Sequence, residues 1–497
     1  MGAGKSTALA AAREAGLETT EIDELMEREL GMPIADAFER GGEEAFRKRE
    51  AEVVGARLER ADGGAIALGG GSVLSARVRE ALDRHIVVWL KVDAGDAWAR
   101  IADTDRPLAR SEEDVERLLA ERLPLYEDLA DAVMRTGDRG SVARALSSVE
   151  ALAQLPAGAR MIWAASAGGQ YPVFVGQGLL DAGWWPLQSR RFCLTDRTVG
   201  ALYADRLAPL EARIEIEPGE TAKTMAEAER VLRELARAGM NREDHLVALG
   251  GGVVGDLGGF CAHTYQRGVA LVQAPTSLVA QVDSAYGGKT GVDLPEGKNY
   301  AGAYHLPAAV IADNATLASL PSEELAAGFV EAVKTGLLAG GRLWERVQAI
   351  DSLDPEALGD IVFSCALYKC EVVAADERDA GPRAVLNLGH TVGHAIETAS
   401  GYSRYRHGEA IGLGLLAALR LSEAPELHDT VEEILCRHGL PVELDGSIGV
   451  DAVLEALQRD KKRTAAGVGF VLLSEPGAPR VGQLLDLDRV RAAVEEL

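Results

Sequence analysis

The stretch HLVALGGGVVGDLGGF, residues 245–260, decides the architecture. HLVAL is a short, almost continuous apolar run of the kind that a buried parallel strand needs. It leads straight into Gly250-Gly251-Gly252 and then VVGDLGGF, so a strand, a glycine turn and a helix follow one another. The turn contains Gly-x-Gly-x-x-Gly, where absent side chains let backbone N–H groups approach a pyrophosphate. The same glycines would serve tight strand–helix packing, and the turn lies about 90 residues into its domain rather than at the first crossover. Both readings stand at this point.

Outward from that turn, YPVFVG (171–176), RFCLTD (191–196), VALVQAP (269–275) and AAVIAD (308–313) alternate with helical stretches. Upstream, AIAL (65–68) and HIVVWL (85–90) do the same between long helical patterns. From about Pro321 the pattern turns mainly helical until GFVLL at 469–473. The fold class is therefore α/β: an N-terminal parallel α/β domain over 1–150, a linker over 151–160, a dinucleotide-binding α/β part over 161–318, and a mainly helical part over 319–497. SSVEALAQLPAGAR marks the composition shift at the main boundary.

Composition bounds the function. The 497 residues exceed one ordinary core, and 47% apolar with 26% charged residues is the balance of a folded chain. No apolar run reaches the roughly 18 residues of a membrane-spanning helix. Fifty-two basic against 77 acidic residues leave a formal charge of -25, which argues against nucleic-acid and anionic-membrane partners. An anionic small-molecule substrate then needs a local basic island. Five scattered cysteines without CxxC, and no signal-peptide-like opening, point to a reducing cytoplasm.

The chain opens on Gly2-Ala3-Gly4-Lys5-Ser6-Thr7 and an alanine-rich helix. Glycine N–H groups curl around phosphates, a lysine adds a point charge, and a hydroxyl reaches Mg²⁺. Glu21-Ile22-Asp23, GGEEAFRKRE (41–50), AIALGGGSV (65–73), Arg106-Pro107-Leu108 and Arg122-Leu-Pro-Leu-Tyr126 follow. Forked guanidinium groups at Arg47 and Arg122 suit a small carboxylate. In this order and spacing, residues 1–135 resemble shikimate kinase. The resemblance implies ATP and Mg²⁺ at Gly2, Gly4, Lys5, Ser6, Thr7 and Arg106, with Ser6 on the metal. It puts shikimate at Asp23, Arg47, Gly70 and Arg122, with Asp23 as base and Arg106 neutralising charge from a lid. The sequence departs from the family in two ways. Glu21 stands at the first position of the usual Asp-x-Asp, and the strand that should precede the phosphate loop is missing. The expectation is an upstream start or a weakened kinase.

The central region supplies the basic island. Arg267, Asp283, Lys289, Lys298 and Asn299 lie in TYQRG, AQVDSAYGGKTGVD and EGKNYAGAYHLP, and ELAAGFVEAVKTGLL sets Glu331 and Lys334 three apart on one helix face. VLNLGHTVGHAIE then places His390 and His394 four apart with Glu397 three further on, and His407 follows in the loop YRHGEA. Two or three imidazoles and a carboxylate make a donor set for Zn²⁺ or Co²⁺.

These segments, in this order, make residues 161–497 similar to 3-dehydroquinate synthase. The resemblance implies metal ligands Glu331, His390 and His407. It implies a substrate pocket of Asp283, Lys289, Asn299, Lys334, Lys369, Arg383, Asn387, His394 and Lys461, with Arg267 and Lys298 near the phosphate. NAD⁺ is expected at Asp196, Glu220, Lys223, Gly251, Gly252, Val253, Asp256, Thr276, Ser277 and Ser319, with Lys289 and Lys298 also near it. Lys289, Lys334 and His394 would be catalytic. The implied reaction converts 3-deoxy-D-arabino-heptulosonate 7-phosphate to 3-dehydroquinate and phosphate, with transient oxidation by NAD⁺ and its regeneration each cycle. Together the two resemblances imply a two-enzyme fusion of the shikimate pathway, acting on small molecules, with a homodimer through the synthase part. The alternatives are a non-catalytic N-terminal module, another sugar-phosphate cyclase, and a metal-dependent alcohol dehydrogenase that consumes NAD⁺.

Overall fold

The computed structural model describes residues 2–103, 108–135, 139–461 and 469–497, without the side chains of 139, 460 and 461. Two compact units divide at 163/164, inside the strand Arg160–Ser166, and residues 152–154 just before it form a 3₁₀ turn.

Unit 1 begins with the helix Lys5–Glu14, capped by Gly4 in the left-handed region at φ 85°. Its parallel strands fall into two sets. β1 (Thr19–Glu21) pairs with β2 (Ala65–Ala67), while β3 (Val88–Lys91) pairs with β4 (Ala132–Arg135), which pairs with Met161–Trp163 of β5 (Arg160–Ser166). No described strand joins β2 to β3.

Unit 2 holds a parallel sheet of six strands. They are β6 (Gly169–Gly176), β7 (Arg191–Asp196), β8 (Ala212–Ile216), β9 (His245–Gly250), β10 (Ala270–Pro275) and β13 (Ala309–Asp313), in the order β6-β13-β10-β9-β7-β8. All six residues of β9 are buried, which is why HLVALG reads as an unbroken apolar run. The lysine-bearing segment 289–304, read from sequence only for its charges, folds as an antiparallel hairpin of β11 (Lys289–Leu294) and β12 (Gly297–Tyr304).

The glycine turn divides its labour. Gly251 caps the helix Gly252–Thr264 after β9. A Cβ on Gly258 would stand 2.8 Å from the Ala248 side chain, and one on Gly259 would stand 2.2 Å from Thr290 Cγ2. These two serve packing. A Cβ on Gly251 would meet only the Ser277 side chain, whose movable hydroxyl is nearest at 3.2 Å. Gly259→Ala is expected to destabilise unit 2 by about 1–3 kcal/mol through overpacking, read as a lower urea midpoint, while Gly251→Ala leaves the midpoint nearly unchanged.

Beyond β13 come the helices Ser322–Ala339, Pro355–Ala375, His390–Ala399 and His407–Leu421, then the hairpin of β14 (Phe470–Leu473) and β15 (Pro479–Gln483). Residues 326–338 of the first helix are buried on every side, so its charged residues can only face a polar interior site. No helix among the described residues is long and apolar enough to cross a membrane.

Candidate active sites

In unit 2 the helix Ser322–Ala339 brings Glu331 to the first turns of the other two site helices. His390 opens the helix His390–Ala399, and His407 opens the next helix rather than lying in a loop. Glu331 Oε1 lies 3.5 Å from His390 Nε2 and 3.4 Å from His407 Nε2. Both carboxylate oxygens are buried without a hydrogen-bond partner, although Lys334 Nζ stands 2.5 Å from Oε2. The three donor groups lie within 4.8 Å of one another. A buried carboxylate whose Oε1 faces two imidazole nitrogens fits Zn²⁺ or Co²⁺.

The far sides of both imidazoles are also held. His390 Nδ1 lies 3.2 Å from the Leu388 carbonyl, and His407 Nδ1 lies 3.5 Å from Glu397 Oε1. Such contacts fix ring orientation and leave Nε2 for a metal. Burial, with Lys334 nearby, drives His390 down to about 3, so its ring is neutral and ready to ligate. Burial opposes charge on His407, but the carboxylates of Glu331 and Glu397 raise it to about 10. Glu331 itself resists burial because Lys334 and the histidines hold its carboxyl well below the usual range.

Charges alternate outward from this centre. Asp283 Oδ1 accepts from Lys369 Nζ at 2.7 Å and lies 3.9 Å from Lys334 Nζ. Burial raises the Asp283 carboxyl, but the two ammonium groups outweigh it and keep it low. Arg383, buried, donates to the Glu377 carbonyl at 2.8 Å, and its backbone N–H donates to Asp376. Lys289 pairs with Asp379, and Lys298 lies 3.9 Å from Glu397 and over the Tyr402 ring. His394 stands 5.9 Å from His407 between ring centres, on the exposed side. Asn299 adopts φ 57° in β12, with its N–H bound to Asp293, and Asn387 is exposed at the end of a 3₁₀ turn.

One expected substrate residue makes no ion pair with this cluster, and the side chain of another lies outside the described residues. Arg267 sits exposed on the turn Tyr265–Arg267 after the glycine-rich helix, with no ion pair to any described residue, because the turn leads its side chain into solvent. Lys461 ends the helix Val450–Lys461, and its side chain lies outside the described residues.

Several of the expected dinucleotide residues pair with one another or lie against the glycine turn. Lys223 Nζ pairs with Asp256 at 3.1 Å and Glu220 at 3.0 Å. Burial pushes the Asp256 carboxyl up to about 6 against the pull of Lys223. Gly252 and Val253 form the first turn of the helix, Thr276 donates its N–H to the Gly250 carbonyl, and Ser277 faces Gly251. Asp196 and Ser319 carry structural bonds as well. Asp196 caps the helix Arg197–Tyr203 through two backbone N–H groups, and Ser319 Oγ bonds Tyr203 and the Thr316 carbonyl.

In unit 1, Gly2 and Lys5 line a cavity of about 980 Å³ together with Asp23, Arg47, Gly70 and Arg122. Lys5 Nζ lies 3.5 Å from Asp23, and Ser6 donates to Glu21 at 3.4 Å, so the longer Glu21 carboxylate does reach the loop. Thr7 is in the first turn of the helix. Arg122 is buried with its Nε unpartnered. Arg47 is held by the buried Glu50 at 2.6 Å, and Glu50 also accepts from Ser72 at 2.8 Å. Tyr126 donates to the Gly70 carbonyl at 2.6 Å. A Cβ on Gly71 would fall 2.5 Å from the Arg47 guanidinium, so the two residues are closely apposed. Arg106 lies outside the described residues.

The sequence reading missed Glu50, Asp376 and Asp379 and gave Glu397 no settled role. Only Glu50 left a local signal, three residues after Arg47 on one helix.

Comparison with known proteins separates the two units. Residues 1–153 match the family model described as shikimate kinase. Residues 213–327 and 328–463 match the N-terminal and C-terminal models of 3-dehydroquinate synthase. A 3-dehydroquinate synthase of Halorhodospira halophila is 44% identical over 62% of this chain and 91% of its own length. One of Symbiobacterium thermophilum is 40% identical over 66% and 98%. Among solved structures, a 2-epi-5-epi-valiolone synthase of Streptomyces hygroscopicus with NAD⁺ and Zn²⁺ bound aligns at TM-score 0.61. It is 26% identical and covers 66% of this chain and 96% of that one. A 2-deoxy-scyllo-inosose synthase with NAD⁺ and Co²⁺ aligns at the same TM-score with 24% identity, covering 68% and 99%, and shares the fold.

Proposed function

Because the chain belongs to the 3-dehydroquinate synthase family and carries a shikimate kinase domain ahead of it, we propose that it performs two reactions of one pathway. Unit 2 converts 3-deoxy-D-arabino-heptulosonate 7-phosphate to 3-dehydroquinate and phosphate, and unit 1 phosphorylates shikimate from ATP. The observation that carries the first is the buried Glu331 carboxylate, with two imidazole nitrogens 3.4 and 3.5 Å from Oε1 and an ammonium group at Oε2.

In this reading Glu331, His390 and His407 hold the metal, and Gly251, Gly252, Val253, Lys223, Asp256, Thr276, Ser277, Asp196, Glu220 and Ser319 form the NAD⁺ site. When bound, the metal polarises a substrate hydroxyl and NAD⁺ supplies a hydride acceptor that is restored in each cycle. The chain's own residues do the rest. Lys334 and Lys369, tied through Asp283, face substrate oxygens with fixed positive charge. Arg383 and Asn387 orient the carboxylate end. Lys289, Lys298 and Asn299, on the hairpin, hold the phosphate, with Lys289 exchanging Asp379 for it. His394, beside the metal ligands and open to solvent, moves the proton. In unit 1, Gly2, Gly4, Lys5, Ser6 and Thr7 take ATP and Mg²⁺, Arg47 and Arg122 grip the shikimate carboxylate, Gly70 lies against the ring, and Asp23 accepts the hydroxyl proton. All five cysteines are unpaired, which supports a cytoplasmic setting, and the charge of -25 favours small-molecule partners over nucleic acid. A homodimer through unit 2 completes the reading.

Two substitutions compared side by side test the metal assignment. His394→Ala should cut synthase turnover by about 10²–10⁴-fold, the span of a lost proton-transfer group, while metal content holds. Glu397→Gln should weaken metal affinity by about 10–100-fold, because it only orients His407. If His394→Ala loses metal in proportion to activity, His394 is a ligand and the roles proposed here are wrong.

A further inference from the structure

The hairpin of β11 and β12 loses its register between Val292 and Leu294. Pairs run regularly from Lys289↔Tyr304 to Val292↔Ala301, but the next is Leu294↔Gly297. Asp293 on β11 is therefore opposed by Lys298, Asn299 and Tyr300 on β12. A bulge of this kind bends its strand and re-aims side chains. Continuing the regular register would instead pair Leu294 with Asn299, drawing Asn299 into the ladder and Lys298 into the turn. The bulge thus decides where two of the expected ligand residues point. Its backbone is unusual as well, with Asn299 at φ 57°, a left-handed conformation that asparagine tolerates better than most residues.

One side chain secures this conformation. Asp293 Oδ1 accepts the Asn299 N–H at 2.7 Å, in place of a ladder bond. Asp293 is itself fixed from two sides. Its neighbour Val292 is fully buried, in the same apolar cluster as Ala222, Ala228 and Leu257. Its own N–H donates to the Lys223 carbonyl at 2.8 Å, and it bridges to Thr224 in parallel register. Lys223 is the buried ammonium that pairs with Glu220 and Asp256 among the expected dinucleotide residues. Burial lowers that ammonium, and Asp256, Glu220 and Asp293 together raise it above its usual value. The main chain of Asp293 is thus bound to the dinucleotide segment and its carboxylate to the bulge.

We propose that Asp293 is a positioning residue of the synthase site. Its carboxylate holds the bulge that presents Lys298 and Asn299, and its backbone ties that bulge to the Lys223 segment. The separation of dinucleotide and substrate phosphate is then set through one side chain that touches neither. The clamp stands on the geometry alone, and its effect on turnover rests on the ligand assignments proposed above.

The test compares the full chain with Asp293→Ala and Asp293→Asn. The readouts are KM and kcat for the sugar-acid phosphate at saturating NAD⁺, bound metal, the urea midpoint, and amide hydrogen exchange in peptides spanning 297–301. Asp293→Ala should raise that KM by at least about 10-fold, the scale of one hydrogen bond to a charged group. Metal content and kcat should change little. Exchange over 297–301 should quicken by about 10-fold or more as the bulge opens locally. Asp293→Asn keeps an acceptor oxygen and should recover most of both effects. Unchanged exchange in Asp293→Ala overturns the proposal whatever the KM. So does an Asn variant as impaired as the Ala one, which would assign the effect to charge beside Lys223. Joint loss of metal, kcat and urea midpoint overturns it too, because Asp293 would then be only structural. Faster exchange with an unchanged KM would leave the clamp standing and sink the placement of Lys298 and Asn299 at the phosphate.

Discussion

Glu331→Gln is expected to strip unit 2 of its metal and lower synthase kcat/KM by more than about 10³-fold, well beyond the about 10–100-fold typical of a residue that merely orients a ligand. The change is nearly isosteric, so its effect is electrostatic. Lys334 is 1% exposed and stands 2.5 Å from the Glu331 carboxylate, with Asp283 at 3.9 Å as its only other carboxylate partner among the described residues. Burial alone would lower the Lys334 ammonium, and Glu331 and Asp283 together raise it above its usual value. Removing Glu331 leaves a buried charge half-compensated, a loss that costs about 3–5 kcal/mol when a buried pair is broken. The variant should therefore show reduced metal content, a lower unfolding midpoint and an unchanged kinase rate. Metal analysis of the purified variant and a urea titration check all three. A Glu331→Gln protein that retains stoichiometric metal would remove Glu331 from the ligand set.

Arg122→Ala should raise the KM for shikimate by about 100-fold or more, with the KM for ATP little changed. A forked pair of hydrogen bonds to a carboxylate is worth about 3 kcal/mol at the lower end of 1.5–3 kcal/mol per charged bond, and every 1.4 kcal/mol is tenfold. The guanidinium is well placed for that role, being buried in the cavity wall with an unpartnered Nε. Arg122→Lys should recover little, because an ammonium group lacks the planar fork. Arg47 behaves differently: Glu50 already occupies one side of it, so its grip on a ligand depends on that ion pair. Steady-state kinetics with each substrate varied separate the outcomes. A fall in kcat with unaltered KM would place Arg122 at the transferred phosphoryl group rather than at the acid.

The sequence by itself determined the alternation of strand and helix, the glycine turn after β9, the two-part organisation, and most of the residues now gathered at each site. These features are local. A buried parallel strand is a short apolar run, and a helix sets residues three or four apart on one face, so Glu331 with Lys334 and His390 with His394 were legible as pairs. Other features belong to the tertiary structure alone. Asp283 meets Lys369 across 86 residues and Lys289 meets Asp379 across 90, pairings that no spacing encodes. Which glycines are closed in by packing and which stand only against a movable side chain depended on where Thr290 and Ser277 came to rest. Arg267, which the resemblance puts near the phosphate, is exposed on a turn with left-handed backbone at φ 68°, a placement that no spacing encodes. Spacing along a chain tells which groups share an element; only packing between elements decides which charges share a site.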